Sequence, residues 1–345
     1  MTDPGTLPTY VPEQIAHYLG DELLTHPALH FDPAAAAASL DEPREVIALD
    51  IGGDKLRRAT YAIGSGELTL QEQEIHQGRG GAGYLAHLER YAAEARERGV
   101  PVGISSATRL EGSVITRTVN LPVFFEELQQ RYRANYRALF PASSFVANDT
   151  VSGICGASTL LTQQGIDSSR AVFVICASGL GASVLHEGTA IHVEIAHVPI
   201  EDRLNPFGQA MLCGVPGKPY VCVERVAAAR AGIEDLYHQQ TGELRDGVAI
   251  GKLYEAGDPL ATALYETSAL AVAHATAGVM RRYGFEDGTP VVYHGGNFEL
   301  RCYREAIGRA LREMPGAQPR VVFSRDLSPN ACLEGAAIGA AWQPV

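Results

Sequence analysis

Two short apolar runs in this 345-residue chain each break abruptly into glycine. VIALDI (46–51) stops at Gly52-Gly53, and Ala171–Cys176 stops at Ala177-Ser178-Gly179-Leu180-Gly181. Runs of this length, apolar throughout and bounded by turn residues, read as buried strands. The segments after the two runs are alike in order though not in sequence. After the first, Arg58–Ile63 and Leu68–His76 alternate as two more strands about the turn Gly64-Ser65-Gly66. A helical run (83–98) then stops at Gly99, followed by a strand (101–108) and a helix (123–139). After the second, 169–194 holds a strand, a glycine turn and two further strands. A long Ala-rich helix (259–282), a strand (291–295), a helix (301–314), a strand (321–324) and a helix (331–342) complete the series. The expected class is α/β, a doubled β-β-β-α-β-α unit, and such a doubling leaves a cleft between its halves.

Charge and composition exclude several functions. Forty acidic residues against 28 basic ones give a net charge of -12, unlike a chain that coats nucleic acid or an anionic membrane. At 46% hydrophobic and 20% charged residues, the chain has material for a real core and is not disordered. Its length corresponds to about two domains at roughly 150 residues each. Six scattered cysteines do not form a secreted disulfide framework, and the start MTDPGTLPTYVPEQ has no signal-peptide pattern. No apolar run approaches the roughly 20 residues a membrane helix needs. The expectation is a cytoplasmic protein with reduced thiols. Residues 1–45, with a short amphipathic stretch (Gln14 to Leu24) and then AAAAASLDEP, read as an N-terminal extension with some helix.

Four local motifs carry candidate chemistry. Asp50-Ile51-Gly52-Gly53-Asp54-Lys55-Leu56-Arg57 ends a strand in an acid and two glycines, where backbone amides can approach a phosphate and the acid a phosphate-bound Mg²⁺ through water. An ordinary hairpin turn accounts for it equally. Asn148-Asp149-Thr150 joins a strand to the helical run Val151–Leu161, suiting either an N-cap or a general base at the mouth of a cleft. Ala177-Ser178-Gly179-Leu180-Gly181 is a second phosphate-compatible turn with a hydroxyl in place. Glu194-Ile195-Ala196-His197, with Glu224 downstream, could grip the hydroxyls of a polyol or form surface salt bridges.

The order of these motifs is more specific than any one of them. D-x-G-G-x-x-x-R, N-D-T, a small-Ser-Gly-x-Gly turn, E-x-x-H, E-R, G-G-N before a helix and E-G-A-A-x-G-A follow one another from about Val46 to Trp342. The series resembles the sugar kinases of the hexokinase superfamily and, more narrowly, the ROK (repressor, open reading frame, kinase) family and the bacterial glucokinases. The resemblance implies two actin-like (ribonuclease H-like) lobes with an interlobe cleft: an extension (1–45), an N-terminal lobe (46–150) and a C-terminal lobe (151–345), the last helix being free to pack back on the first lobe. It implies phosphorylation of the primary hydroxyl of a hexose or hexose-like polyol by ATP and Mg²⁺. Asp149 would be the general base, and Asn148, Glu194, His197 and Glu224 would hold ring hydroxyls. Asp50 would act on the Mg²⁺-ATP side, with Gly52, Gly53, Lys55, Ser178 and Gly179 about the phosphates. Gly295, Gly296 and Asn297, with the 334–340 region, would line the adenosine pocket. Phosphoryl transfer needs mainly positioning and charge neutralisation, which such a set can supply.

Departures from the family pattern bear on the acceptor. Asp54 stands where Thr is usual, adding negative charge that Lys55 and Arg57 would offset. Ser105-Ser106-Ala107-Thr108 replaces a P-G-P stretch, and Ala177-Ser178 replaces Gly-Thr. Of the family's zinc motif, a His followed by C-x-C-G-x-x-G-C, the chain keeps His197 and Cys213-Gly214-Val215-Pro216-Gly217, has Met211 in place of the first Cys and displaces the last to Cys222. Three ligands fall short of the four that structural zinc takes, so no zinc is expected. Glucose, an amino sugar and a C7-cyclitol remain open as acceptors, and the resemblance allows a homodimer. Two other readings stand beside the kinase. A sugar-responsive ROK regulator would need a basic DNA-binding helix that residues 1–45 lack. A catalytically inactive sugar-binding relative is disfavoured by the presence of Asn148, Asp149 and Glu224.

Overall fold

The computed structural model describes residues 29–118, 121–141, 143–200, 207, 212–213 and 220–342; the stretch Gln14 to Leu24 lies outside them. Its strands are β1 (Leu29–His30), β2 (Arg44–Ile51), β3 (Lys55–Gly64), β4 (Glu67–Gln77), β5 (Val102–Ser106), β6 (Arg109–Glu111), β7 (Val114–Arg117), β8 (Ser143–Asn148), β9 (Ala171–Cys176), β10 (Leu180–His186), β11 (Thr189–Val193), β12 (Pro290–His294) and β13 (Arg320–Phe323). They form a five-stranded sheet ordered β4-β3-β2-β5-β8, a six-stranded sheet ordered β1-β11-β10-β9-β12-β13, and the hairpin β6-β7. With β1 set aside, the second order repeats the first: third, second, first, fourth and fifth strand of each series. The recurrence of glycine-ended runs in the sequence is therefore a recurrence of topology.

By their internal contacts the described residues fall into two compact units. One comprises His26–Phe173, Ser183–His192 and Ser324–Val345; the other comprises Val174–Ala182 and Val193–Phe323.

In the first unit β2 is buried on both faces, which is why it reads as an unbroken apolar run. Ile47, Leu49 and Ile51 pack with Leu88, Tyr91, Phe124, Leu128 and Tyr136 from the helices Tyr84–Arg98, Pro122–Tyr132 and Tyr136–Leu139. Fully burying such a side chain contributes about 1.5–3 kcal/mol before conformational entropy is counted. The helix Ala331–Trp342 packs on β2, β5 and the helix Asp149–Gln163. Strand pairing follows the expected turns: β2 and β3 run antiparallel, and β3 and β4 meet through Ser65 and Gly66, both left-handed (φ 55° and 77°) as a two-residue hairpin requires.

Three features depart from the sequence reading. The expected helix 123–139 is two helices, because Arg133 and Ala134 both adopt left-handed backbone (φ 54° each) and Asn135 caps the second. No glycine marks that break; the Asn135 cap is its one local signal. The β6-β7 hairpin, turning at Gly112 (φ 60°), had no expectation attached to it. The described part of the 1–45 segment enters the fold: β1 pairs antiparallel with β11, Phe31 stacks edge-on against Trp342 at 5.0 Å, and the helix Pro33–Ser39 packs on Asp149–Gln163.

In the second unit β12 and β13 pair in parallel from Pro290↔Arg320 to Tyr293↔Phe323. The helix Pro259–Arg282 is capped by Asp258, has Pro259 in its first turn, and packs against Arg301–Glu313.

The last helix approaches Asp149–Gln163 so closely that only glycine fits. A Cβ on Gly335 would stand 1.8 Å from the Ser152 carbonyl oxygen, and one on Gly156 would stand 2.6 Å from that of Ala331. Gly335→Ala must push the helices apart and is expected to cost at least about 1–3 kcal/mol, the range for overpacking. Gly308→Ala, whose nearest neighbour is the flexible Arg312 guanidinium at 3.6 Å, is expected to be neutral or to stabilise by up to about 1 kcal/mol. Urea melts of the two variants check the contrast; equal midpoints would refute it.

Candidate active site

Strand register sets Asp50. In β2 it lies opposite Arg57 of β3 and opposite Ser105 of β5. Its Oδ2 accepts from Arg57 Nε at 2.9 Å and Nη2 at 2.5 Å, and its Oδ1 accepts from Ser105 Oγ at 2.8 Å. The carboxylate raises the Arg57 pKa further, so the pair stays ionised. Arg57 is thereby committed to Asp50 and leaves Asp54 to other partners. The Gly52–Lys55 segment closes as a tight hairpin, Gly52 N–H donating to the Lys55 carbonyl at 2.9 Å, with Lys55 exposed.

Asn148 ends β8 and caps the helix Asp149–Gln163. Its Oδ1 accepts from the Thr150 N–H at 2.9 Å and from Thr150 Oγ1 at 2.7 Å, while its Nδ2 donates to the Thr108 carbonyl at 3.1 Å. The same Thr150 N–H reaches Asp149 Oδ1 at 2.8 Å, fixing the carboxylate in the first helical turn, where the helix dipole favours an anion. Ser106 Oγ bonds to Thr108 Oγ1 at 2.9 Å and to the Tyr136 hydroxyl at 2.7 Å. The residues at 105–108 that depart from the family pattern thus brace both Asp50 and Asn148. Cys332, at the start of the last helix, is a buried thiol whose pKa is driven well up by burial and by the charges of Asp50 and Asp149, with Arg57 opposing. Within the first unit, both carboxylates therefore act on one thiol at the same helix end.

In the second unit the turn after β9 closes with Ala177 N–H donating to the Gly179 carbonyl at 2.9 Å, and Ser178 is exposed at its tip. Gly295 (φ 120°) presses against this turn; a Cβ there would lie 2.3 Å from the Cys176 carbonyl oxygen. Asn297 is 4% exposed, and its Nδ2 donates to Cys176 Sγ and to the Ala227 carbonyl, each at 3.3 Å. Its side chain braces the turn from behind. Gly296 follows at the start of a short 3-10 turn.

Glu194, His197 and Glu224 are gathered by a short antiparallel pairing in which Val223 N–H donates to the Val198 carbonyl and Glu224 N–H to that of Ala196, both at 2.9 Å. His197 Nδ1 lies 3.9 Å from Glu224 Oε2. Burial raises the Glu224 pKa, with His197 opposing and Glu194 adding to the rise. The Leu180 N–H also donates to this carboxylate, tying it to the start of β10.

The same pairing brings His197, Cys213 and Cys222 together, their ligand atoms within 4.8 Å of one another and His197 Nδ1 at 3.6 Å from Cys213 Sγ. These donors suit zinc in kind and spacing but number three, and Met211 and Gly214 to Gly217 lie outside the described residues. Burial, with Cys213 adding, pushes the Cys222 thiol up to about 12, so without a metal it stays protonated at neutral pH. After dialysis against EDTA, the protein is expected to retain well under one equivalent of zinc by atomic emission. A full equivalent retained would mean that a fourth ligand completes the set.

Sequence reasoning named the acids and the glycine turns but not their supports. Ser105 and Arg57 are findable from register once β2, β3 and β5 are aligned. His192, whose Nδ1 lies 2.8 Å from Thr150 Oγ1, gave no local signal at all.

The ROK family model matches residues 46–342. The chain is similar in structure to the ROK hexokinase from Thermus thermophilus (TM-score 0.61, 21% identity, covering 86% of this chain and 98% of that one). It is similar also to a ROK family glucokinase from Streptomyces griseus in complex with glucose and AMPPNP (TM-score 0.59, 18% identity, 86% and 99%). A ROK family transcriptional regulator, a homologue of the E. coli MLC protein, matches as well (TM-score 0.57, 19% identity, 87% and 79%). No curated protein matches by sequence. The fold is the two-lobe actin-like fold of the hexokinases. With a family model spanning all but the first 45 residues and the last three, the chain belongs to the ROK family.

Proposed function

We propose that this protein is an ATP-dependent kinase that phosphorylates the primary hydroxyl of a hexose, an amino sugar or a C7-cyclitol. The observation that carries this reading is the Asn148-Asp149 junction, an acid held at a helix N-terminus by the Thr150 N–H in a chain of the ROK family. Asp149 takes the proton from the acceptor hydroxyl as its oxygen forms a bond to the γ-phosphorus. The bond from that phosphorus to the β-γ bridging oxygen breaks, and ADP leaves with the electron pair. Glu194, His197 and Glu224 hold ring hydroxyls; the raised Glu224 carboxyl retains its proton to higher pH than an exposed one and can donate as well as accept. Asn148 contributes what its amide has left beyond the helix cap.

The backbone at Gly52, Gly53, Ser178 and Gly179, with Lys55, receives the phosphates, and Gly295 and Gly296 receive the adenosine. Asn297 serves that pocket by bracing the turn at Cys176 and Ala177. Mg²⁺ enters with ATP and supplies charge neutralisation on the phosphate oxygens. Asp50, with both oxygens already bonded, meets it through water. Among the described residues no helix is long and apolar enough to cross a membrane, and the six free thiols suit a reducing cytoplasm.

An ADP-release screen over glucose, mannose, amino sugars and C7-cyclitols tests the proposal. Wild type is expected to turn over one acceptor class, and Asp149→Asn to lose at least about a hundredfold in kcat, within the usual span for general-base loss. Undiminished turnover in the variant would remove Asp149 from the mechanism. Sugar binding without turnover of any acceptor would favour a regulator or an inactive relative.

A further inference from the structure

We propose that His192 is a positioning residue for the Asn148-Asp149 pair, acting through the Thr150 hydroxyl; this rests on the kinase reading above. Thr150 is the residue on which both members of the pair depend. Its N–H donates to Asn148 Oδ1 at 2.9 Å and to Asp149 Oδ1 at 2.8 Å, and its hydroxyl lies 2.7 Å from Asn148 Oδ1. Asn148 Oδ1 receives a backbone N–H, so it is the oxygen and only accepts. The single hydroxyl proton of Thr150 therefore points to Asn148. Since His192 Nδ1 lies 2.8 Å from the same Thr150 oxygen, that nitrogen must carry a proton and donate it. The geometry thus fixes one tautomer and one direction: His192 Nδ1–H to Thr150 Oγ1–H to Asn148 Oδ1.

The neighbouring hairpin grips this turn twice. His192, 6% exposed on β11, holds the Thr150 hydroxyl, and Ser183 Oγ on β10 donates to the Thr150 carbonyl at 2.6 Å. Without the His192 donor, the hydroxyl is free to rotate away and Asn148 loses one of its two Oδ1 partners. The N-cap and the base beside it then lose their common anchor. Such a side chain touches no reacting atom; its effect is on where the base points.

The test replaces the donor in two ways. His192→Leu fills the space without a donor, whereas His192→Asn places an amide N–H near the Nδ1 position. On the acceptor that wild type turns over, His192→Leu is expected to lower kcat about tenfold or more, the scale of small misplacements, with the KM for ATP within twofold. His192→Asn is expected to recover most of the loss. Thr150→Val is expected to lower kcat comparably, and adding His192→Leu to it to cost nothing further. A packing role would instead be rescued by Leu better than by Asn. The inference is overturned if His192→Leu turns over within twofold of wild type, if Asn fares no better than Leu, or if the Thr150 and His192 losses multiply. If wild type releases no ADP, or Asp149→Asn matches wild type, the kinase reading itself fails and this inference with it. Nitrogen-15 imidazole spectra read the first link without turnover: a protonated Nδ1 in wild type is expected, and an Nε2–H tautomer would overturn the assignment.

Discussion

The first unit depends on one contact between two backbones. Where the helices Asp149–Gln163 and Ala331–Trp342 cross, the carbonyls of Ser152 and Ala331 occupy the space a side chain would need at Gly335 and Gly156. This contact fixes the axis of Asp149–Gln163, and with it the position of its first turn. The last helix, seated on β2 and β5, also brings Cys332 to Asp50 and Asp149. Two acids more than ninety residues apart in sequence thereby share one helix end, held there by main-chain packing. Interiors are close-packed and transmit small volume changes, so the acid at Asp149 is placed by glycines far from any chemistry.

Polar register does the finer positioning. Asp50 is flanked by Arg57 and Ser105 because β2 pairs with β3 on one side and β5 on the other. Nearby, the fully buried Arg58 pairs with Glu72 at 2.5 Å and with Glu94. Buried charges are tolerated only when paired, so several acids that contribute to the net charge of -12 answer internal arginines. The remaining acidity does not oppose an anionic nucleotide if phosphates are met by backbone amides at glycine turns, which needs no basic surface.

Much of the architecture was legible because it depends on local pattern. β2 and β9 announce themselves as apolar runs ending in glycine, Gly99 stops its helix, and the limits of Pro259–Arg282 are those read from its composition and caps. What was illegible depends on tertiary contacts. The break at Arg133-Ala134 uses left-handed backbone at residues with no intrinsic preference for it. Asn297 reads as a ligand contact from its motif, but the structure turns it inward to Cys176. The gathering of His197 with Cys213 and Cys222 follows from pairing between segments with no strand-like pattern. His192 sits among alternating strand residues, where a histidine carries no mark of what it faces.

The pairing of β1 with β11 has a further consequence. Leu29 and His30 cover the outer side of β11 opposite Ala190 and Thr189, and β11 is the strand that carries His192. A sheet whose edge is covered in this way offers no open backbone there for another chain to pair with. Removal of the segment before β2 would bare that edge and create a route to aggregation. The few residues ahead of the family-matched region thus act as a guard on the sheet, and shortening the chain to that region would expose what they protect.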